Sequence, residues 1–278
     1  MRFSFYKNHP SKLVAVVVPL SNRQQLTPDE EISYRHLVHF LGKYDKFLVI
    51  PAGLQVDFPG FGIKRFHNKF FGSTEAHKKL LFSPKFYNAF RDYKYILIYH
   101  LDALAFSDQL TQWCEMDFDL IAPPWIPFKG APYEGITQFE GKVGNGGFSL
   151  RKIDSFLKVI YSRIYTIEPA VHWRTYYGLK PKFIQYLNFP KRILKGLGVR
   201  NSAKYEMSRW IEPEDSFWAN RATHYFPSFK IAPVELALRF AFECGPRFCF
   251  EKNNRELPFG CHGWEKYDRE FWEPYLLK

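Results

Sequence analysis

Three apolar, β-rich runs separated by helix-like stretches set the pattern of the first hundred residues. Leu13 to Leu20 is nearly all Val and Leu and ends at Pro19 and the turn-prone Ser21-Asn22, which predicts a strand buried on both faces. Thr27-Pro28-Asp29-Glu30-Glu31 has the order of a helix start, with Thr27 as cap, Pro28 at the first position and acids in the first turn; the helix is predicted to run to about Lys43. Lys46 to Pro51 reads as a second buried strand and Gly62 to Phe66 as a short one. Ser73-Thr74-Glu75 opens a helix predicted to continue to about Phe90, which feeds a third buried strand at Tyr95 to Tyr99. Two consecutive β-α-β units imply an α/β fold with a mixed, mostly parallel central sheet flanked by helices.

The later pattern is less regular. Asp108 to Glu115 predicts a helix, and Leu120 to Trp125 a short strand running into a Pro-stiffened turn. Loops rich in Gly and Pro lead to the strand-like Phe148-Ser149-Leu150, and Ile153 to Tyr165 reads as helical. Between residues 171 and 210 large apolar residues interleave with cations, which marks a basic, aromatic helical insertion in which Pro190 is expected to split any helix in two. An aromatic helix follows Glu214-Asp215, Ala232 to Phe250 reads as a helix or strand pair, and His262 falls on a loop between Gly260 and Gly263.

Composition narrows this picture. A chain of 278 residues with 46% hydrophobic and 19% aromatic content suits one large domain spanning 1–278. No window approaches the roughly 20 apolar residues of a membrane span. The first residues also lack the apolar segment of a secretory signal, so a cytoplasmic protein is expected. Cys114, Cys244, Cys249 and Cys261 form no C-x-x-C pair and predict buried free thiols. The net charge of +11 is concentrated: residues 151 to 211 hold thirteen Lys/Arg against Asp154, Glu168 and Glu206, a local +10.

Candidate chemistry lies where charge or glycine interrupts these patterns. Ile96-Leu97-Ile98-Tyr99-His100-Leu101-Asp102 delivers one acid to the end of a buried strand, and in open α/β sheets ligands sit beyond such ends. Asp102 either faces that crevice or caps the turn into Leu104-Ala105-Phe106. Gly144-Asn145-Gly146-Gly147 allows close backbone approach and exposes N–H groups, although a hairpin turn would use the same residues. Glu214-Asp215 supplies two acids ahead of a helix, where they also complement its dipole.

In combination, the stretches Tyr95 to Leu104, Val143 to Arg151, Glu214-Asp215 and Pro258 to Gly263 resemble the nucleotide-sugar-dependent glycosyltransferases of the GT-A fold. They look like an uncharacterised glycosyltransferase-like domain family, domain of unknown function number 5672. The resemblance implies a sugar transferred from a nucleotide-sugar donor to a hydroxyl of a glycan or lipid-linked acceptor. It also implies a divalent ion, Mn²⁺ or Mg²⁺, held by Asp102 and His262. The usual Asp-x-Asp of that fold is here His100-x-Asp102, which puts metal dependence in question and tilts the ion toward Mn²⁺. On this reading Asp215 is the base of an inverting reaction, with Glu214 positioning it or an acceptor hydroxyl. Pro19, Ser21, Asn22, His100, Asp102, Gly146 and Gly147 are expected at the donor, and Trp125, Asn145 and Glu214 at the acceptor. A retaining transferase would not use Asp215 as such a base. A glycoside hydrolase would need two carboxylates but no strand-end metal motif. A nucleic-acid-binding module would account for the basic segment, yet no recognised nucleic-acid motif is present and no nucleic-acid partner is expected.

The segment from about Lys180 to Arg209 admits two readings. Phe183, Ile184, Leu187, Phe189, Ile193 and Leu194 form an apolar face with Lys182, Lys191, Arg192 and Lys195 beside it. Either this face meets an anionic membrane surface, placing the enzyme at the cytoplasmic side, or it packs on the domain as an internal hairpin.

Overall fold

A computed structural model describes residues 10–21, 23–137 and 139–277. The strands are β1 (Lys12–Pro19), β2 (Asp45–Pro51), β3 (Phe61–Phe66), β4 (Tyr93–Tyr99), β5 (Ala103–Ala105), β6 (Leu120–Ile121), β7 (Pro124–Trp125), β8 (Lys142–Val143), β9 (Phe148–Lys152), β10 (Ala241–Phe242) and β11 (Gly260–His262). The helices are α1 (Pro28–Leu41), α2 (Thr74–Leu81), α3 (Pro84–Asn88), α4 (Leu110–Glu115), α5 (Ile153–Ile160), α6 (Pro169–Tyr177), α7 (Lys182–Gly196), α8 (Ala203–Ser208), α9 (Glu214–Tyr225), α10 (Val234–Phe240), α11 (Pro246–Lys252) and α12 (Arg269–Trp272).

The main sheet has the order β3-β2-β1-β4-β9-β6. Its first four strands are parallel, and β9 runs antiparallel between β4 and β6. Strand β1 shows why the centre is apolar throughout. Val14, Val16 and Val18 pack with Leu37 and Leu41 of α1 and Leu110 of α4 on one face. Ala15 and Val17 pack with Leu80, Phe156 and Trp218 of α2, α5 and α9 on the other. Both faces are therefore covered, as a parallel sheet requires. Helix α1 begins at the expected place because Thr27 Oγ1 accepts from the Glu30 N–H at 3.3 Å while the Glu30 carboxylate accepts from the Thr27 N–H at 2.8 Å, a reciprocal cap.

A second sheet, β10-β11-β5, lies beyond the end of β4. Here β11 is antiparallel to β5 in a register that sets His262 opposite Ala103. That register brings His262 beside Asp102. His262 thus ends a short strand instead of lying on a loop, and only the following Gly263 turns with φ +64°.

Several local expectations are corrected. The helix expected over Ser73 to Phe90 is two, α2 and α3, because Pro84 disfavours helical geometry at Ser83 and the Ser83 hydroxyl restarts the chain by accepting from the Lys85 N–H. Leu120 to Trp125 is split at Ala122-Pro123 between two sheets. Helix α5 stops at Ile160, after which Ser162 donates to the Tyr225 carbonyl and turns the chain. Helix α7 runs unbroken through Pro190. Pro190 removes one N–H, but the Tyr186 carbonyl it would have met belongs to a residue 83% exposed, on the solvent side of the helix, where no buried acceptor is left unmet. The four cysteines are all buried and unpaired.

Candidate functional site

Two adjoining cavities open over the carboxyl ends of β1 and β4. The first, about 400 Å³, is lined by His77, His100, Asn145, Gly146, Gly147, Glu214, Asp215 and His262, among others. The second, about 880 Å³, includes Pro19, Ser21, Arg23, Asp102, His100, His262 and Lys266. Thr74, His77, His100 and His262 belong to both walls, so the imidazoles stand where the two spaces meet.

That junction is built by backbone pairing. The His100 N–H donates to the Gly147 carbonyl at 2.8 Å, tying the end of β4 to the glycine turn before β9. The Trp264 N–H donates to the Asp102 carbonyl at 3.3 Å, tying the turn between β4 and β5 to the chain just past β11. The glycines are required for space. A Cβ on Gly147 would fall inside the His262 ring, and one on Gly146 would lie 2.9 Å from Glu214 Oε1. Close approach is thus the use of this pair, and the groups that approach are side chains of the protein itself.

Asp102 Oδ1 lies 3.2 Å from His262 Nε2, and Glu243 Oε1 lies 3.2 Å from His262 Nδ1. Burial opposes charge on His262, but Asp102 and then Glu243 outweigh it and raise its pKa to about 10. Burial likewise opposes ionisation of Asp102, and the neighbouring His262 charge outweighs it, holding the carboxyl far below its ordinary range. His100 responds in the opposite sense: burial, with His77 adding to it, pushes it down to about 3. Its ring therefore stays neutral. Glu243 is also hydrogen-bonded by the Asn145 side-chain amide, whose Oδ1 accepts from the Gly147 N–H at 2.8 Å.

The ring and carboxylate donors of His100, Asp102 and His262 lie within 4.8 Å of one another. His100 Nε2 and His262 Nε2 are both buried without a hydrogen-bond partner, the latter because Asp102 is close but out of line. Unpartnered buried nitrogens are rare and call for an occupant. Two imidazoles and a carboxylate make a donor set that suits a divalent transition ion such as Mn²⁺. The residues present fit the ion once His262 gives up its ring proton to it, since only a neutral imidazole ligates.

Across the smaller cavity, Glu214 and Asp215 open α9, and they differ sharply. Glu214 is buried and receives Arg151 Nη2 at 2.8 Å; Arg151 is itself buried and donates to the Tyr87 hydroxyl at 3.2 Å. Asp215 is half-buried and accepts from the Gly146 N–H at 3.2 Å and the Ser216 N–H at 2.8 Å. Burial, reinforced by the charges of Glu214 and Glu243, pushes the Asp215 carboxyl up to about 8. A carboxyl so placed exchanges a proton near neutral pH.

The structure thus brings His100, Asp102, Asn145, Gly146, Gly147, Glu214, Asp215 and His262 together, and sets Pro19 and Ser21 on the wall of the larger cavity. Asn22 lies outside the described residues. Trp125 is buried with Ala131, Tyr133 and Cys244, behind Gly144. Sequence reading missed Glu243, Arg151 and His77. Glu243 did carry a signal, as the lone acid in the apolar run Ala241-Phe242-Glu243-Cys244, the same kind of interruption that marks Asp102.

No curated protein matches this chain. Among solved structures it is similar to the apo-form glycosyltransferase GlyE of Streptococcus pneumoniae TIGR4, at 14% identity and a TM-score of 0.43, covering 95% of this chain and 60% of that one. It is also similar to the galactosyltransferase LgtC in complex with donor and acceptor sugar analogs, at 10% identity and a TM-score of 0.44, covering 89% and 86%. These likenesses are loose, and the chain spans only 60% of the GlyE structure. The match to a family is firmer: the model of the family described as Protein of unknown function (DUF5672) covers residues 60–262, which hold every junction residue from His77 to His262, and the chain belongs to that family.

Proposed function

We propose that this protein is a nucleotide-sugar-dependent glycosyltransferase of inverting type, moving a sugar to a hydroxyl of a glycan or lipid-linked acceptor. The observation that carries this reading is the placement of His100, Asp102 and His262 between two cavities, with Asp215 across the smaller one. Such a layout provides one chamber for a donor, one for an acceptor, and a cation site at their boundary.

His100, Asp102 and His262 would hold the divalent ion, whose chemistry when bound is Lewis-acid neutralisation of the departing diphosphate. Pro19 and Ser21, just past β1, line the larger chamber and suit the nucleoside. Asp215 takes the proton of the acceptor hydroxyl as that oxygen attacks the anomeric carbon. The Gly146 and Ser216 N–H groups hold the two oxygens of Asp215 on the wall of the smaller chamber. Arg151 keeps Glu214 paired, and the Glu214 charge adds to burial in raising the pKa of Asp215. Glu243 orients His262 through Nδ1, which turns Nε2 toward Asp102.

The test is thermal stabilisation by UDP-, GDP-, CMP- and dTDP-sugars with and without Mn²⁺. One donor should raise the melting temperature in an ion-dependent way, because a ligand bound only by the native state stabilises it by mass action. Stabilisation by none of them would overturn the reading.

A further inference from the structure

Helices α6 and α7 have no buried residue between them. This removes the packed-hairpin reading of the insertion. Helix α7 is amphipathic and turned outward. At about 100° per residue, Tyr186, Phe183, Leu187, Ile193 and Leu194 share one arc with Pro190, and the five are 83%, 64%, 67%, 52% and 46% exposed. The opposite side carries Asn188, Lys195 and Arg192 and meets α6, where Arg192 lies 5.8 Å from the Trp173 ring and Phe189 lies 6.3 Å from it. The main apolar arc faces out, against the usual apolar-in arrangement, whereas Ile184, partly covered, and Phe189 fall outside it.

Cations frame this arc. On the same helical projection Lys182 borders one edge and Lys191 the other. Among the described residues, ion-paired Lys and Arg run up to Lys152 and resume at Arg221, so no cation of the hairpin has a carboxylate partner. The hairpin is nonetheless held at its base. Tyr165 donates to the Gly196 carbonyl at 2.6 Å, and buried Asn201 donates to the Ile167 carbonyl at 2.8 Å. The outward arc is therefore built in. After α8 the chain continues to Ile211, which is 93% exposed and lies on the wall of the smaller cavity.

We infer that the outward face of α7 docks on an anionic lipid bilayer, with Phe183, Tyr186 and Leu187 in the interface and Lys182 and Lys191 at the headgroups. Charge complementarity selects this occupant: an apolar arc bordered on both edges by cations without a carboxylate partner, Lys191 resting only on the Tyr177 ring at 5.9 Å, is the surface that binds anionic headgroups and acyl chains together. No helix among the described residues is long and apolar enough to cross a membrane, so the contact is peripheral.

The test is sedimentation of the full chain with vesicles of phosphatidylcholine alone and of equimolar phosphatidylcholine and phosphatidylglycerol, at low and raised salt. The protein should pellet with the anionic vesicles, and salt should weaken the binding. Lys182→Gln and Lys191→Gln should each lower partitioning by about fivefold. Phe183→Ser combined with Leu187→Ser should abolish it while the variant keeps the wild-type circular dichroism spectrum. Equal binding to neutral vesicles, no binding, or indifference to these substitutions would overturn the inference. A lipid-free dimer in the ultracentrifuge that the Phe183→Ser, Leu187→Ser variant dissolves would overturn it too, assigning the face to a second copy. Donor stabilisation in solution does not involve α7, so failure here leaves the proposed function intact, and the converse holds.

Discussion

The charged junction and the α6–α7 hairpin break the ordinary rule of burial in opposite directions. Around the junction Arg151 and Glu214 are charged groups drawn into the interior, and the Glu243 and His262 side chains are largely covered. On the hairpin Phe183, Tyr186 and Leu187 are apolar groups left in water. Taking charge inside costs several kcal/mol per ion unless each finds a partner, and the junction meets that demand pair by pair: Arg151 with Glu214, His262 with Asp102 and Glu243. The hairpin meets no such demand, since its apolar face has no partner in the chain. The comparison teaches where to look for ligands. At the junction the unmet groups are two ring nitrogens and a carboxyl with a raised pKa; on the hairpin they are a whole face.

Substitutions sharpen that contrast, and the largest effect belongs to the buried pair. Arg151→Met leaves Glu214 charged, buried and alone, and is expected to cost about 3–5 kcal/mol of stability in urea unfolding. Arg151→Met combined with Glu214→Leu should recover most of it; a double variant as unstable as the single one would show that the pair is not the cause. Next in size is Asp215→Asn, expected to lower turnover by about 10²-fold or more with donor binding nearly unchanged. The ionised carboxylate is the active form and burial raises its pKa to about 8, so wild-type kcat/KM should climb with pH and level off above about 8. A profile flat from pH 6 to 9 would remove Asp215 from the rate. Gly147→Ala must displace the His262 ring and is expected to weaken Mn²⁺ binding by about 10- to 100-fold, read by calorimetry. The smallest effect falls on the hairpin. Leu187→Ser should leave stability within about 0.5 kcal/mol, and a larger loss would mean that α7 packs on something after all.

Much of this arrangement was legible from pattern. The runs that became β1, β2 and β4 were readable because strands covered on both faces are apolar at every position, and α1 because Thr27, Pro28 and Glu30 are a cap in sequence as in space. Asp102 stood out as a single acid after such a run. What stayed hidden depends on register and on faces. Nothing local says that His262 pairs opposite Ala103, since that pairing spans 159 positions. Arg151 looked like one more cation of a basic segment, whereas its place on β9 turns it inward to Glu214. Pro190 looked like a break because the rule about proline concerns a lost hydrogen bond, and here the orphaned carbonyl is on the wet side. The amphipathic pattern of α7 was visible, but periodicity gives an apolar side without saying which way it faces.

The most direct test of the central claim is release of free nucleotide from the donor that stabilises the protein, followed with an acceptor present for wild type, Asp102→Asn and Asp215→Asn, with the anomeric configuration of the product read by NMR. The account predicts ion-dependent release by the wild type, inversion at the anomeric carbon, weakened donor binding in Asp102→Asn, and slow turnover with intact donor binding in Asp215→Asn. Product of retained configuration, or Asp215→Asn turning over at the wild-type rate, would contradict it.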